Sequence, residues 1–310
     1  MYYLRKIIKG IFSIYIISTI SFFLISLIPG NPAIAILGVD ATSDRIQAFR
    51  QNFGLDKPIL ERYLEWLKRV LTGDFGNSLK LNIPVKNLIL EKLPLTMIIT
   101  LLTLVLIFLI SIPFAFYLNK IKDKKSIEKW NKVLALTISI PSFWLAILVI
   151  YLFSVVLKLF YLSYNDTIFS LIIPCLIIAI PKVGQITYNL KKNLYHETRQ
   201  EYIKYLYSNG MNMKYLNRYV LKNAILPLLP LISLMIIDLI TGVVIIEQIF
   251  SIPGIGRLLL LSVYTRDIPL LQGLIIYSST FVIIVDVLND ILYAKLDKRI
   301  KLGDVKWENI

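Results

Sequence analysis

The sequence predicts an all-α, polytopic membrane protein with six transmembrane helices, and three observations lead there. First, 56% of the 310 residues are hydrophobic and the mean hydropathy is +0.69, which excludes a soluble globular domain. Second, uncharged runs at 10–29, 93–119 and 133–157 each reach the ~20 residues needed to cross a hydrocarbon core of ~30 Å. Three further apolar blocks carry isolated charges: 167–190 with Lys182, 223–246 with Asp238, and 268–294 with Asp286 and Asp290. Third, the 34 basic residues are unevenly distributed. With the N-terminus inside, 21 fall in the pieces 1–10, 119–132, 191–223 and 295–310, against 12 in the outer pieces 30–92, 158–167 and 250–271. That is a positive-inside pattern, and it predicts both ends in the cytoplasm. The net charge of +14 is therefore topological and does not point to nucleic acid.

Four parts are expected: a cytoplasmic N-terminus with the first span over 1–30, an extracytoplasmic segment over 31–92, a five-helix permease core over 93–298, and a cytoplasmic tail over 299–310. The first span follows Arg5, Lys6 and Lys9. It resembles a secretory signal, with Ala33-Ile34-Ala35 as a mimic cleavage site, but its length and the five later blocks favour a retained span. Pro29-Gly30-Asn31-Pro32 then breaks it.

Segment 31–92 holds 9 basic and 7 acidic residues, a balanced polar surface. A short helix is expected between Ser43 and Phe53, capped by Ser43. Pro58 opens a second, in which Ile59, Tyr63, Trp66, Leu67 and Val70 share one face that either rests on the outer leaflet or packs on the spans.

The second span ends in the lysine-rich turn KIKDKKSIEK. Pro141 in SIPSFW must kink or loosen the third. The fourth carries Pro174 and Pro181, followed by Lys182, Gly184 and Gln185. The fifth opens at Pro227 and Pro230, and after it a short outer loop is expected, with Gly254 and Gly256 making close turns.

The stretch EYIKYLYSNGMNMKYLNRYVLKNAILP, 201–227, is polar yet patterned. Tyr202, Tyr205 and Leu206 fall at helical spacing, Gly210 sits where a helix stops, and Asn212 can cap a second helix. It reads either as a helix–glycine–helix knob within the cytoplasmic loop 191–223, or as an ordinary basic loop.

Catalytic chemistry finds little support. The sequence has no Gly-Lys dipeptide, so a phosphate-binding P-loop is ruled out. Cys175 and His196 are the only cysteine and histidine, which leaves no disulfide framework, nucleophile set or metal cluster. Neither catalytic nor metal residues are expected. Six interrupted spans describe a passage for solute, driven by an ion gradient or by a partner protein. Asp286 and Asp290 stand four apart on one helix face. Together with Asp238 they serve either as proton relays or in ion pairs, Asp290 with Lys295 or Arg299 and Lys182 with Asp238 or Asp286.

Several stretches together resemble the inner-membrane permeases of ATP-binding-cassette importers, in the oligopeptide, dipeptide and nickel group. They are FFLISLIPGNPAIAILG (22–38), FGLDKPILERYLEWLKRVLTGDFGNSL (53–79), ISIPSFWLAILV (138–149), EYIKYLYSNGM (201–211), VLKNAILP (220–227), VVIIEQIFSIPGIGRLL (243–259) and NDILYAKLDKRI (289–300). The resemblance implies the type I importer permease fold, in the inner membrane of a bacterium. It also implies that the 201–211 helix docks on an ATPase subunit, with Gly210 matching the motif glycine. Tyr202, Tyr205, Leu206 and Met211 are the candidates for the gripped face. Lys204 stands where many importers have glutamate, Tyr205 and Leu206 where small residues are usual, and Lys298 where proline is usual. The outer connection near 158–167 is shorter than usual.

The implied assembly adds a homologous second permease, two ATPases that hold ATP and magnesium, and an extracytoplasmic solute-binding protein. This chain itself is expected to bind no cofactor. Peptide is the first expected substrate, nickel or a metal chelate the second; an ion-coupled secondary transporter is the alternative of another class.

Overall fold

A computed structural model of the chain describes residues 2–27, 32–38, 40–158, 163–241 and 243–296. Among them the structure is helical, with one isolated antiparallel bridge between Asn77 and Pro84 and no β-strand. The chain begins with α1 (Tyr2–Leu27), α2 (Pro32–Leu37), α3 (Ser43–Asn52) and α4 (Ile59–Leu71). It continues with α5 (Val85–Lys120), α6 (Lys124–Ser139) and α7 (Ser142–Ile150), the last extended by a π-turn to Val156. Then come α8 (Ile172–Glu197), α9 (Glu201–Ser208), α10 (Met213–Ile225), α11 (Leu229–Thr241), α12 (Val244–Ile249), α13 (Ile255–Tyr264) and α14 (Ile268–Leu296).

Five helical stretches among these residues are long and apolar enough to cross a membrane: Arg5–Leu27, Val85–Lys120, Ile168–Glu197, Met213–Ile249 and Ile268–Leu292. A sixth follows if α6 and α7 form one broken span. The break lies at Pro141, as its missing N–H and ring demand, and the two helices meet there at 86°. Thr137 and Ser139 fold their hydroxyls back onto the carbonyls of Leu134 and Ala135, at 2.7 and 2.9 Å, so the last turn of α6 stays hydrogen-bonded.

Two compact units divide the chain, Met1–Met97 with Pro253–Ile284, and Ile98–Ile252 with the chain from Val285 onward. In the first, the amphipathic face of α4 packs on α1. Trp66 and Tyr63 lie 5.0 and 5.4 Å from the Phe22 ring, and Tyr63 shares a 3.0 Å hydrogen bond with Thr19. Of the two dispositions open for this face, packing on a span is the one found. A second cluster joins Val85, Leu88 and Ile89 to Ile255, Leu258, Leu270 and Leu274. Asp267, fully buried, accepts hydrogen bonds from the Ser78 hydroxyl (2.5 Å) and the Lys80 and Leu270 amides (3.1 and 3.2 Å). In the second unit α6 lies along α8. Gly184 permits that approach, because a Cβ there would collide with Thr137 Oγ1 and sit 3.2 Å from Ile138 Cγ1.

Several boundaries differ from expectation. Ser43 is the first residue of α3 rather than its cap; Thr42 holds the cap position, without a side-chain bond. α5 starts at Val85, inside the segment expected to be extracytoplasmic, and its 36 residues run about 54 Å. α8 runs on to Glu197, seven residues into the expected loop. Pro227 and Pro230 do not open a fresh helix: a 3₁₀ turn at Leu226–Leu228 joins α10 to α11. The expected loop with turns at Gly254 and Gly256 is instead α12 and α13, Gly254 capping α13 and Gly256 lying inside it. The left-handed positions there belong to Ser251 (φ 56°) and Arg266 (φ 52°). Of the expected break at Pro29-Gly30-Asn31-Pro32 only Pro32 is described, and Lys298 and Arg299 lie outside the described residues.

Candidate functional site

The stretch after α8 folds as two short helices around a glycine elbow. α9 ends in a paired-hydrogen-bond cap: the Met211 amide donates to the Leu206 carbonyl at 3.1 Å and the Gly210 amide to the Tyr207 carbonyl at 3.0 Å. That geometry needs a left-handed residue just past the helix, and Gly210 supplies it with φ 78°. A Cβ at Gly210 would meet nothing within 4 Å, so the constraint is conformational rather than steric crowding. Asn212 then caps α10, its side-chain oxygen accepting from the Lys214 amide at 2.9 Å.

Packing fixes which side of the elbow faces out. Ile203, Leu216, Val220 and Ala224 are buried with Leu190 and Leu194 of α8, and Leu206 and Met211 pack against the same cluster. Leu206 and Met211, both half-buried, thus also serve the knob's own interior. Tyr202 is pinned: its hydroxyl donates to Glu197, and the Asn223 amide donates to Glu197 at 2.9 Å and to Tyr202 at 2.7 Å. Burial, with the adjoining carboxylate, pushes the Tyr202 phenol up to about 12. Its neutral form is held in the fold, so its contribution is complete below the ordinary tyrosine value and is lost as pH rises through about 12. Asn193 donates to the Ala224 carbonyl at 2.9 Å and ties α10 to α8.

The outward face is aromatic and basic. Tyr205 is 69% exposed, and Tyr207, Tyr215 and Tyr219 are 63%, 60% and 51% exposed, around exposed Lys204. Of the expected gripped face only Tyr205 points fully outward. Tyr207, Tyr215 and Tyr219 were not anticipated, although the i, i+4 spacing of the last two was readable. Buried clusters of large side chains hold such an elbow rigid, and exposed tyrosines offer contact area at low entropic cost.

The intramembrane charges form a second feature. Lys182 of α8 bonds the Asp238 carboxylate of α11, which selects Asp238 over Asp286 as its partner. A cavity of about 210 Å³ adjoins the pair and is lined also by Pro141, Ser142, Pro181 and Ile246. Neutralising two charges within spanning helices removes much of the cost of each. Asp286 is exposed on α14 and Asp290 half-buried one turn on. Cys175 is a buried free thiol, and the His196 ring meets the Gln200 side chain at 3.2 Å. Among the described residues no group of three or more His, Cys, Asp or Glu is placed to hold a metal.

Comparison with known proteins agrees along nearly the full length. Residues 111–302 match the family described as the binding-protein-dependent transport system inner membrane component, and residues 1–100 match its N-terminal region. A protein of Brucella abortus (strain 2308) named for a peptide transport system permease is 32% identical, with 96% of this chain and 98% of that protein covered. A Brucella suis protein with the same kind of name is likewise 32% identical over 96% and 98%. The nickel import system permease protein of Staphylococcus aureus (strain MRSA252) is 31% identical over 98% of this chain and 93% of that one.

Proposed function

We infer a transport mechanism from the premise that this chain belongs to the family of binding-protein-dependent transport system inner membrane components. It is a multi-pass permease subunit of an ATP-binding-cassette importer. In our reading the spanning helices line a passage in the inner membrane of a bacterium, both termini are cytoplasmic, and segment 31–92 faces outward. A homologous second permease completes the passage. Of two ATPase subunits on the cytoplasmic side, one grips the α9–α10 elbow of this chain, and a solute-binding protein delivers substrate from outside. ATP and magnesium belong to the ATPases.

The observation that carries this reading is the elbow itself. Its inner face is sealed by Ile203, Leu206, Met211 and Leu216, whereas its outer face presents Tyr205, Tyr207, Tyr215 and Tyr219. Closure of the ATPases on nucleotide would push a body held by hydrogen-bonded caps at both sides of Gly210 and tied to α8 through Asn193. Motion of the elbow would then reach α8 and, through the 3₁₀ turn, α11, the two helices that share the Lys182–Asp238 pair. That is a physical route from ATP to the passage.

Peptide is the proposed substrate, on the names of the Brucella relatives. Nickel, free or chelated, is the second reading, on the name of the Staphylococcus aureus relative. Uptake of a radiolabelled dipeptide and of ⁶³Ni by cells expressing the full importer decides between them. ATP-dependent uptake insensitive to a protonophore supports the importer. Immediate loss of uptake when the proton gradient alone is collapsed contradicts it.

Orientation is tested by cysteines at Asp44 and Asn217, both exposed, in a Cys175→Ala background. An impermeant thiol reagent should label Asp44→Cys on intact cells and leave Asn217→Cys untouched. The reverse pattern overturns the orientation.

A further inference from the structure

We propose that a cleft of the first unit, lined by α4, the loop after it and the start of α14, binds a short peptide by its terminal carboxylate, with Arg62 and Gln272 as the receiving groups. The cleft holds about 490 Å³. Arg62, Glu65, Trp66 and Arg69 stand at i, i+3, i+4 and i+7 along α4, so one stripe of that helix forms a wall. Gln272 joins the lining from α14.

Two of these groups lack the partners that their burial calls for. Gln272 is 3% exposed, and its side-chain nitrogen has no hydrogen-bond partner among the described residues. A buried donor left unpaired is costly, and native folds rarely keep one without use. Arg62 is half-buried, and among the described residues its guanidinium makes no hydrogen bond or ion pair. Burial pushes it down from the ordinary value, with no carboxylate opposing the shift. The acidic side chains of the cleft are engaged elsewhere: Glu65 pairs with Lys57 at 2.5 Å, and Asp74 accepts from the Gly76 amide at 2.9 Å. A ligand carboxylate supplies at once the charge that Arg62 lacks and an acceptor for Gln272.

The rest of the lining favours a peptide over other anions. The carboxamides of Gln51, Asn52 and Asn77 offer donors and acceptors together, as a peptide group needs, and Phe53 and Phe75 supply apolar surface for a side chain. Asp74 makes no ion pair among the described residues, so its charge repels a phosphate dianion and attracts an ammonium group. Ile268, which opens the span Ile268–Leu292, borders the cleft, and in the orientation proposed above that end faces the side from which solute arrives. Resting on the peptide reading above, the site would give peptide released by the solute-binding protein a first hold on the permease.

Calorimetric titration of alanyl-phenylalanine into the permease–ATPase complex in nanodiscs, without the soluble solute-binding protein, tests the site. Wild type should bind the dipeptide, and its C-terminal amide should bind at least about tenfold more weakly. Arg62→Gln should weaken binding about tenfold, the loss of one charge-assisted contact, while Lys86→Gln, an exposed control outside the lining, should not change it. Gln272→Leu should weaken binding several-fold yet leave thermal stability unchanged or raised, because an unpaired buried amide gives way to an apolar group of similar size. Loss of stability with binding unchanged would make Gln272 a residue of the fold alone and overturn the site. Should Arg62→Gln fail to accumulate, Gln272→Leu and the C-terminal amide carry the same expectation. Equal binding of dipeptide and amide, or binding unaltered by both variants, overturns the site. Uptake of the same dipeptide by the complete importer is measured in parallel. Uptake without binding overturns the site alone; binding without uptake supports the site and overturns peptide as the cargo; absence of both overturns both.

Discussion

Two stretches of this chain are short amphipathic helices set between spans, and they dispose of their aromatic residues in opposite ways. On α4, Tyr63 and Trp66 turn inward and stack against Phe22 and Phe23 of α1. On the α9–α10 elbow, the aliphatic residues turn inward and Tyr205, Tyr207, Tyr215 and Tyr219 are left outside. The helix ends differ as well. α3 and α4 start without a side-chain cap, whereas the elbow is held by Asn212 and by the paired bonds around Gly210. A face that packs on its own span needs no separate device to fix its shape. One that must be gripped by another protein has to be rigid before the partner arrives, since ordering it on binding would cost affinity.

Removing aromatics from the two regions should break them in different currencies. Trp66→Ala opens a cavity beside Phe22 and should destabilise the chain by about 3–5 kcal/mol, seen as loss of membrane accumulation or of thermal stability in detergent. The double variant Tyr205→Ala/Tyr207→Ala removes exposed rings, so accumulation should be unchanged while ATPase copurification falls several-fold. Equal loss of accumulation in both variants would erase the distinction drawn between the regions.

The helix contact beneath the elbow makes a further contrast. Gly184→Leu forces a side chain into the α6–α8 contact at Thr137 and should cost about 1–3 kcal/mol or more, lowering accumulation. For the ion pair, Lys182→Met leaves Asp238 uncompensated within a spanning helix and should lower accumulation, and adding Asp238→Asn should restore most of it. Failure of the second change to rescue the first would mean that Asp238 has another essential partner. The smallest effect belongs to the cap: Asn212→Ala should cost about 1 kcal/mol, and Asn212→Asp should recover it.

How much of this was legible in the sequence depended on range. Gly210 and Asn212 act on their own neighbours, so residue type and spacing were enough to place the elbow and both of its caps. The break at Pro141 was legible for the same reason. Residues acting over long separations were not. Asp267 reads as an ordinary loop acid, and nothing in its surroundings announces Ser78 and Lys80 as its partners. Gly254 and Gly256 look like turn residues because turns are where glycine is most often required, yet both are buried, Gly254 at the cap of α13 and Gly256 inside it. At Leu206 and Met211 the helical spacing defined a stripe without saying how much of it the rest of the chain would cover, and both are half-buried. Peptide or nickel as substrate is legible in neither sequence nor fold.

The most direct test of the elbow as the coupling part is Gly210→Val. The substitution meets no neighbour but forces a β-branched residue to a φ of 78°, at a cost of roughly 1–2 kcal/mol confined to the cap. Membrane levels should therefore match wild type, while ATPase copurification and ATP-dependent uptake are measured in the same preparation. Both should fall at least tenfold. Full uptake with the ATPase still bound would show that the elbow is only a connecting turn, and would contradict its assignment as the site where ATP hydrolysis reaches the passage.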